Sequence, residues 1–197
     1  MRVIASLLAL AVITLPSAAF AHTGVGDAHG FLHGFGHPVG GIDHVLAMVA
    51  VGVFAFVLGG RALWLVPLSF VATMAVGFLL GVGQIEVPFV ELGIALSSVV
   101  IGGVAALGRP VPVAAAMALV GVFAIFHGHA HGAEMPADAG GLSYALGFMA
   151  ATALLHAAGI AAAMSVARLV GKYGKAVAQV AGGLFALAGI GVLAGWL

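Results

Sequence analysis

Six almost purely apolar stretches, near 38–59, 62–82, 88–107, 111–130, 141–168 and 176–196, follow one another with hardly a charge inside them. Each holds the ~20 residues that carry a helix across ~30 Å of hydrocarbon. The breaks between them fall on turn chemistry: Gly59-Gly60, Gly81-Val82-Gly83, Gly108-Arg109-Pro110, Gly140-Gly141 and Gly171 to Gly174. The connections are too short for a soluble domain. The predicted fold is therefore all-α, a polytopic membrane bundle of six transmembrane helices.

Composition agrees. Only 6% of the 197 residues are Asp, Glu, Lys or Arg, against about a quarter in soluble domains. Mean hydropathy is +1.27. So little charge cannot cover a globule in water, and the solvent must be lipid. The 31 glycines fit that setting, because small residues let helices approach where no hydrophobic effect drives them together. Net charge is zero with neutral His, so nothing points to nucleic acid. With no Cys, disulfides, thiolate metal sites and thiol catalysis are all excluded. Nine His against six acidic residues is the unusual ratio.

The N-terminus reads differently from the six spans. Arg2 precedes an apolar run from Val3 to Leu15, then Pro16, Ser17 and Ala19-Phe20-Ala21. A basic start, a short apolar core and an A-x-A site describe a cleaved secretory signal peptide over 1–21, in a bacterial protein. A retained first helix is the other reading, but the run is shorter than a span needs. The expected organisation is thus a signal peptide at 1–21, a periplasmic His- and Gly-rich leader at 22–36, and a six-helix transmembrane domain at 37–197. With the mature N-terminus outside the inner membrane, the inside loops hold Arg61, Arg109, Arg168, Lys172 and Lys175, and the outside segments hold no Lys or Arg. That is the positive-inside pattern.

In this orientation the His positions gather at the outer side. His22, His29 and His33 lie in the leader. His37-Pro38-Val-Gly-Gly-Ile-Asp43-His44 opens the first span, with Pro38 suited to the first helical position. Seven residues make about two turns, so His37 and His44 are expected on one face of a continuous helix, with Asp43 and His44 ~8–9 Å below its start. An ionised Asp within the bilayer costs ~2.5–3.5 kcal/mol and so has a partner and a task. The fourth span ends in Phe126-His127-Gly-His129-Ala-His131-Gly-Ala-Glu134. The i, i+4, i+7 spacing stacks His127, His131 and Glu134 on one face of a continuing helix, with His129 pointing away. Glu91 lies roughly one turn inside the third span from the outer side. His156 is the deep one, near the middle of the fifth span.

Imidazole and carboxylate together are what Ni²⁺, Co²⁺, Zn²⁺ and Cu²⁺ accept. The candidate metal ligands are His22, His29, His33, His37, Asp43, His44, Glu91, His127, His131, Glu134 and His156. Each has a plainer alternative. A leader His is equally an interfacial residue, and Asp43 and His44 can form a structural hydrogen bond. Met48 reads as packing, and Ser97 and Ser98 as hydroxyls bonded back to carbonyls.

The segment His37-Pro38-x-x-Gly41-x-Asp43-His44, followed by Met48, Ala50, Val51 and Gly52, closely resembles the first-span motif of the HupE/UreJ family. Phe126-His127-Gly128-x-Ala130-His131-Gly132-x-Glu134 resembles that family's second His-rich motif. The resemblance covers essentially the whole chain. It implies a nickel or cobalt permease, with Ni²⁺ or Co²⁺ as substrate rather than resident cofactor, and a functional link to hydrogenase or urease maturation. The motif is akin to the H-x4-D-H of another nickel/cobalt transporter family, although here five residues separate His37 from Asp43.

The expected function is capture of a divalent ion at the outer face by His37, Asp43, His44, His127 and His131, then passage through the bundle past His156. Protonation of the ligands would weaken binding below about pH 6.5, the ordinary His value. One rival is an intramembrane zinc hydrolase using the same cluster with Glu91, Glu134 or Ser98, which needs about three convergent ligands and an open position. Another is a membrane cytochrome with His44 and His156 as axial haem ligands.

Overall fold

The computed structural model describes residues 27–196. The signal peptide expected at 1–21, and His22, lie outside the described residues. Within them the chain is all-α. Its helices are α1 (Asp27–Gly40), α2 (Ile42–Leu58), α3 (Ala62–Val82), α4 (Val90–Leu107), α5 (Val113–Ala133), α6 (Gly141–Val170) and α7 (Gly174–Leu193), with a 3₁₀ turn at Gly171–Tyr173. Four helical stretches are long and apolar enough to cross a membrane, and five with the bent pair α1–α2 counted as one. The longest, Gly141–Leu193, is a run of 53 residues. Unbroken it would extend about 80 Å at the α-helical rise, far beyond a bilayer. It divides instead at Gly171, where φ is +60°, a left-handed value that glycine takes at little cost. The chain is a multi-pass membrane protein.

Glycines set the helix contacts. On α3 and α5, Gly77 and Gly81 face Gly128 and Gly132. A Cβ at any of the four would collide with the backbone of the other helix, at Ile125, His129, Met74 and Phe78 respectively. Gly34 of α1 and Gly147 of α6 meet in the same way, as do Gly52 of α2 and Gly159 of α6, and Gly102 of α4 and Gly182 of α7. This is the close approach that small residues permit in lipid.

The glycine pairs also give helix directions. Gly77 to Gly81 runs alongside Ile125 to His129, so α3 and α5 are parallel. Gly102 and Ser98 meet Gly182 and Gly189 in reverse order, so α4 and α7 are antiparallel. The starts of α2 and α6 and the end of α5 then share one end of the bundle. Arg61, Arg109, Arg168, Lys172 and Lys175 are all exposed, on the segments that join the opposite ends.

One expectation fails here. His37 and His44 do not share the face of a continuous helix that opens at Pro38. Pro38 lies inside α1, near its end, and the chain then bends by 82° into α2. The hinge is Gly41, whose backbone is extended at φ −95°, ψ 118°. A Cβ there would sit 2.8 Å from Asp43 Oδ1 and 3.2 Å from His44 Nδ1. Glycine leaves room for both side chains to fold back over the break. His37 and His44 are still brought together, by the bend rather than by helical periodicity.

Candidate functional site

Three helices deliver four histidines to one end of the bundle. His37 comes from α1, His44 from the first turn of α2, and His127 and His131 from the last two turns of α5. The ring centroids of His44 and His127 are 4.7 Å apart, and those of His44 and His131 are 5.2 Å apart. His37 lies 4.9 Å from His131 and 6.3 Å from His44. His127 and His131 share the buried face of α5, as their i, i+4 spacing requires. His129 points the other way, and its Nε2 hydrogen-bonds the Ile85 carbonyl at 2.9 Å.

Two carboxylates attend the rings. Asp43 Oδ1 lies 3.0 Å from His44 Nδ1 and accepts the His44 backbone N–H at 2.8 Å. Helix α5 stops at Ala133, so Glu134 does not stack on a further turn. Its backbone N–H caps the helix on Ala130 O, and its carboxylate reaches across to His37 Nε2 at 3.3 Å.

Exposure falls steadily along this group. Side-chain exposure is 54% for Glu134, 31% for His37 and 11% for His44, and His131 and His127 are fully buried. Burial removes water as a hydrogen-bond partner. Yet His44 Nε2, His127 Nδ1 and both nitrogens of His131 are buried with no hydrogen-bond partner among the described residues. Interiors normally satisfy such atoms, so a polar occupant is expected among the rings. His156 is also fully buried, with both nitrogens unpartnered. Phe70 lies between it and the outer group, 5.7 Å from His127 and 5.1 Å from His156.

The remaining candidates are placed less centrally. His33 is exposed one turn before His37, with its ring 5.9 Å from Tyr144. His29 falls in α1. Glu91 is exposed in the first turn of α4 and has no hydrogen-bond or ion-pair partner among the described residues. The structure does not bring it into the His group. Met48 is wholly buried in the core. Among the described residues no three His, Asp or Glu side chains converge closely enough, as they stand, to hold one ion. The rings pack edge-to-face around His44 and His131 rather than as a closed cage.

A family profile described as HupE / UreJ protein matches residues 10–192. The chain belongs to the HupE/UreJ family. It is 47% identical to Protein HupE of Rhizobium leguminosarum bv. viciae over 186 residues, covering 94% of this chain and 95% of that protein. No solved structure matches it.

In this HupE/UreJ protein several residues around the rings carry no motif in the sequence. Phe148 stacks on His131 at 4.6 Å and 13°. Tyr144 lies over His33 and His37. Phe70 is one of 12 phenylalanines, with nothing in its neighbourhood to set it apart. Ser97 bonds back to the Ile94 carbonyl, as the sequence suggested, but its Oγ also lies 3.0 Å from His127 Nε2. That second contact spans 30 residues, and local spacing does not reveal it.

Proposed function

We propose that this chain is an inner-membrane permease that takes up a divalent transition metal, nickel or cobalt, capturing it at periplasmic histidine and carboxylate ligands. The observation that carries the reading is the graded series of rings, from exposed Glu134 and His37 through His44 to buried His131, His127 and His156. Conduction needs binding that is favourable enough to admit an ion and weak enough to release it, over several sites. An extended series of borderline nitrogen donors with two attendant carboxylates supplies that, and it suits Ni²⁺ or Co²⁺. A hydrolytic zinc site needs three ligands converged on one ion, which is a different geometry. Membership of the HupE/UreJ family supports the same substrate class and the link to hydrogenase or urease maturation.

The orientation proposed has the mature N-terminus in the periplasm and six crossings, α2 to α7, alternating in direction. Parallel α3 and α5 and antiparallel α4 and α7 support it, as do the exposed basic residues at the end away from the rings. A reporter fused after Lys175 should then be active in the cytoplasm, and one inserted near Asp138 should be active in the periplasm. The reverse result at either site would put the rings on the wrong side for capture.

Uptake of radioactive nickel or cobalt into cells, with and without the protein, tests the function directly. Asp43→Ala and His44→Ala should abolish uptake at every metal concentration. Removing both His29 and His33 should weaken it mainly when metal is scarce, because they precede the buried rings. An active Asp43→Ala beside a dead leader variant would contradict these roles.

A further inference from the structure

Ser97 of α4 stands against the ring series without belonging to it. It is fully buried, and its Oγ is 2.5 Å from the Ile94 carbonyl oxygen and 3.0 Å from His127 Nε2. A serine hydroxyl has a single proton to give. The carbonyl oxygen can only accept, so the Ser97 hydroxyl donates its proton there. What Ser97 then turns toward His127 is a lone pair, and Nε2 is the ring atom that carries hydrogen. A neutral imidazole with Nε2–H has its remaining lone pair on Nδ1, and His127 Nδ1 is buried and unpartnered. The opposite tautomer would set two lone pairs against each other at Ser97 and bury an unsatisfied N–H at Nδ1.

His44 is arranged in the mirror sense. The Asp43 carboxylate accepts from Nδ1 at 3.0 Å, which leaves Nε2 as the lone-pair atom, again buried and unpartnered. Two rings from different helices, 4.7 Å apart and nearly perpendicular at 89°, are therefore each tied down at one nitrogen and left with a free lone pair at the other.

We infer that Ser97 is a positioning residue that holds His127 as the Nε2–H tautomer, so that Nδ1 is the nitrogen offered to the transported cation. The cargo in this statement rests on the proposed metal uptake, whereas the tautomer rests on the hydrogen bonds alone. A divalent cation meeting an N–H instead of a lone pair finds a positive edge and no donor pair. Groups that fix a metal-binding imidazole in this way also raise its basicity, and losing one weakens metal affinity about 10- to 100-fold.

Full-length protein labelled with ¹⁵N-histidine, in detergent at a pH where imidazoles are neutral, reports the tautomer directly. His127 is assigned by the signals lost in His127→Gln. The expected spectrum has protonated Nε2 and unprotonated Nδ1 at this ring. Ser97→Ala removes the acceptor at nearly constant volume and should give a tautomer mixture. Its affinity for nickel chloride by calorimetry should fall about 10- to 100-fold, beyond the modest drop in metal-free melting temperature expected from leaving a buried N–H unpaired. Ser97→Thr keeps the hydroxyl and should recover both properties. A proton on Nδ1 in the unaltered protein would overturn the inference. So would an alanine variant that melts early or binds weakly while keeping the parent tautomer, because Ser97 would then be a packing residue only. If the unaltered protein bound neither nickel nor cobalt, the uptake reading would fall, while the spectrum would still decide whether Ser97 sets the His127 tautomer.

Discussion

Nickel or cobalt chloride should raise the melting temperature of the detergent-purified protein, and the gain should vanish in His44→Ala and equally in His127→Ala. A ligand that binds only the folded state stabilises it by mass action, about 2.7 kcal/mol at a hundredfold excess over Kd. On the scale of chains this long, that is roughly 5–10 °C. His44 reaches the site from the first turn of α2 and His127 from the end of α5, yet their rings are in contact. An ion held between them ties two helices together, so losing either ring opens one site. Each variant is compared with itself with and without metal, because deleting a buried ring also leaves a cavity that lowers stability. If each variant lost only part of the gain and the double variant lost the sum, the two helices would hold separate sites.

The second large effect is expected where no ligand is touched. Gly128→Leu should leave little folded protein, recovered as aggregate in size-exclusion chromatography. Its Cβ would lie on the Met74 carbonyl, and the backbones of α3 and α5 would have to separate along the whole Gly77, Gly81, Gly128, Gly132 contact. Overpacking usually costs about 1–3 kcal/mol where side chains yield, and more is expected where backbone meets backbone. His127 and His131 flank Gly128 on the same helix, so any surviving protein should also bind metal poorly. Gly103 is the control. It lies on α4 with nothing within 4 Å of a Cβ, and Gly103→Ala should melt at or above the parent temperature, since alanine favours a helix by ~1 kcal/mol over glycine. Equal damage from both changes would mean that the close approach of α3 and α5 does not govern the loss.

The helices and the histidine-rich character of one end of the bundle were legible in the sequence. Runs of apolar residues closed by glycine placed α3 at residues 62–82, as observed, and the other ends within a few positions. Satisfying the backbone in lipid leaves the helix as the only open-ended solution, and a near absence of charge identifies lipid as the solvent. The i, i+4 spacing also put His127 and His131 on one face and His129 on another, because helical periodicity is a local property.

What only the tertiary structure decided is how those faces meet. Two glycines in a row at Gly40 and Gly41 are compatible with a helix start or a break, and the 82° bend follows from packing α1 against α6 through Gly34 and Gly147. That bend carries His37 to His131 and Glu134 to His37. Glu91 carried the same chemical promise in the sequence, but it stays exposed with no hydrogen-bond or ion-pair partner among the described residues. Ser97 gained its contact with His127 from the packing of α4 on α5. Spacing along a chain fixes which side chains share a face of one helix. Contacts between helices depend on where backbones can approach, and in lipid that is set by the glycines between them.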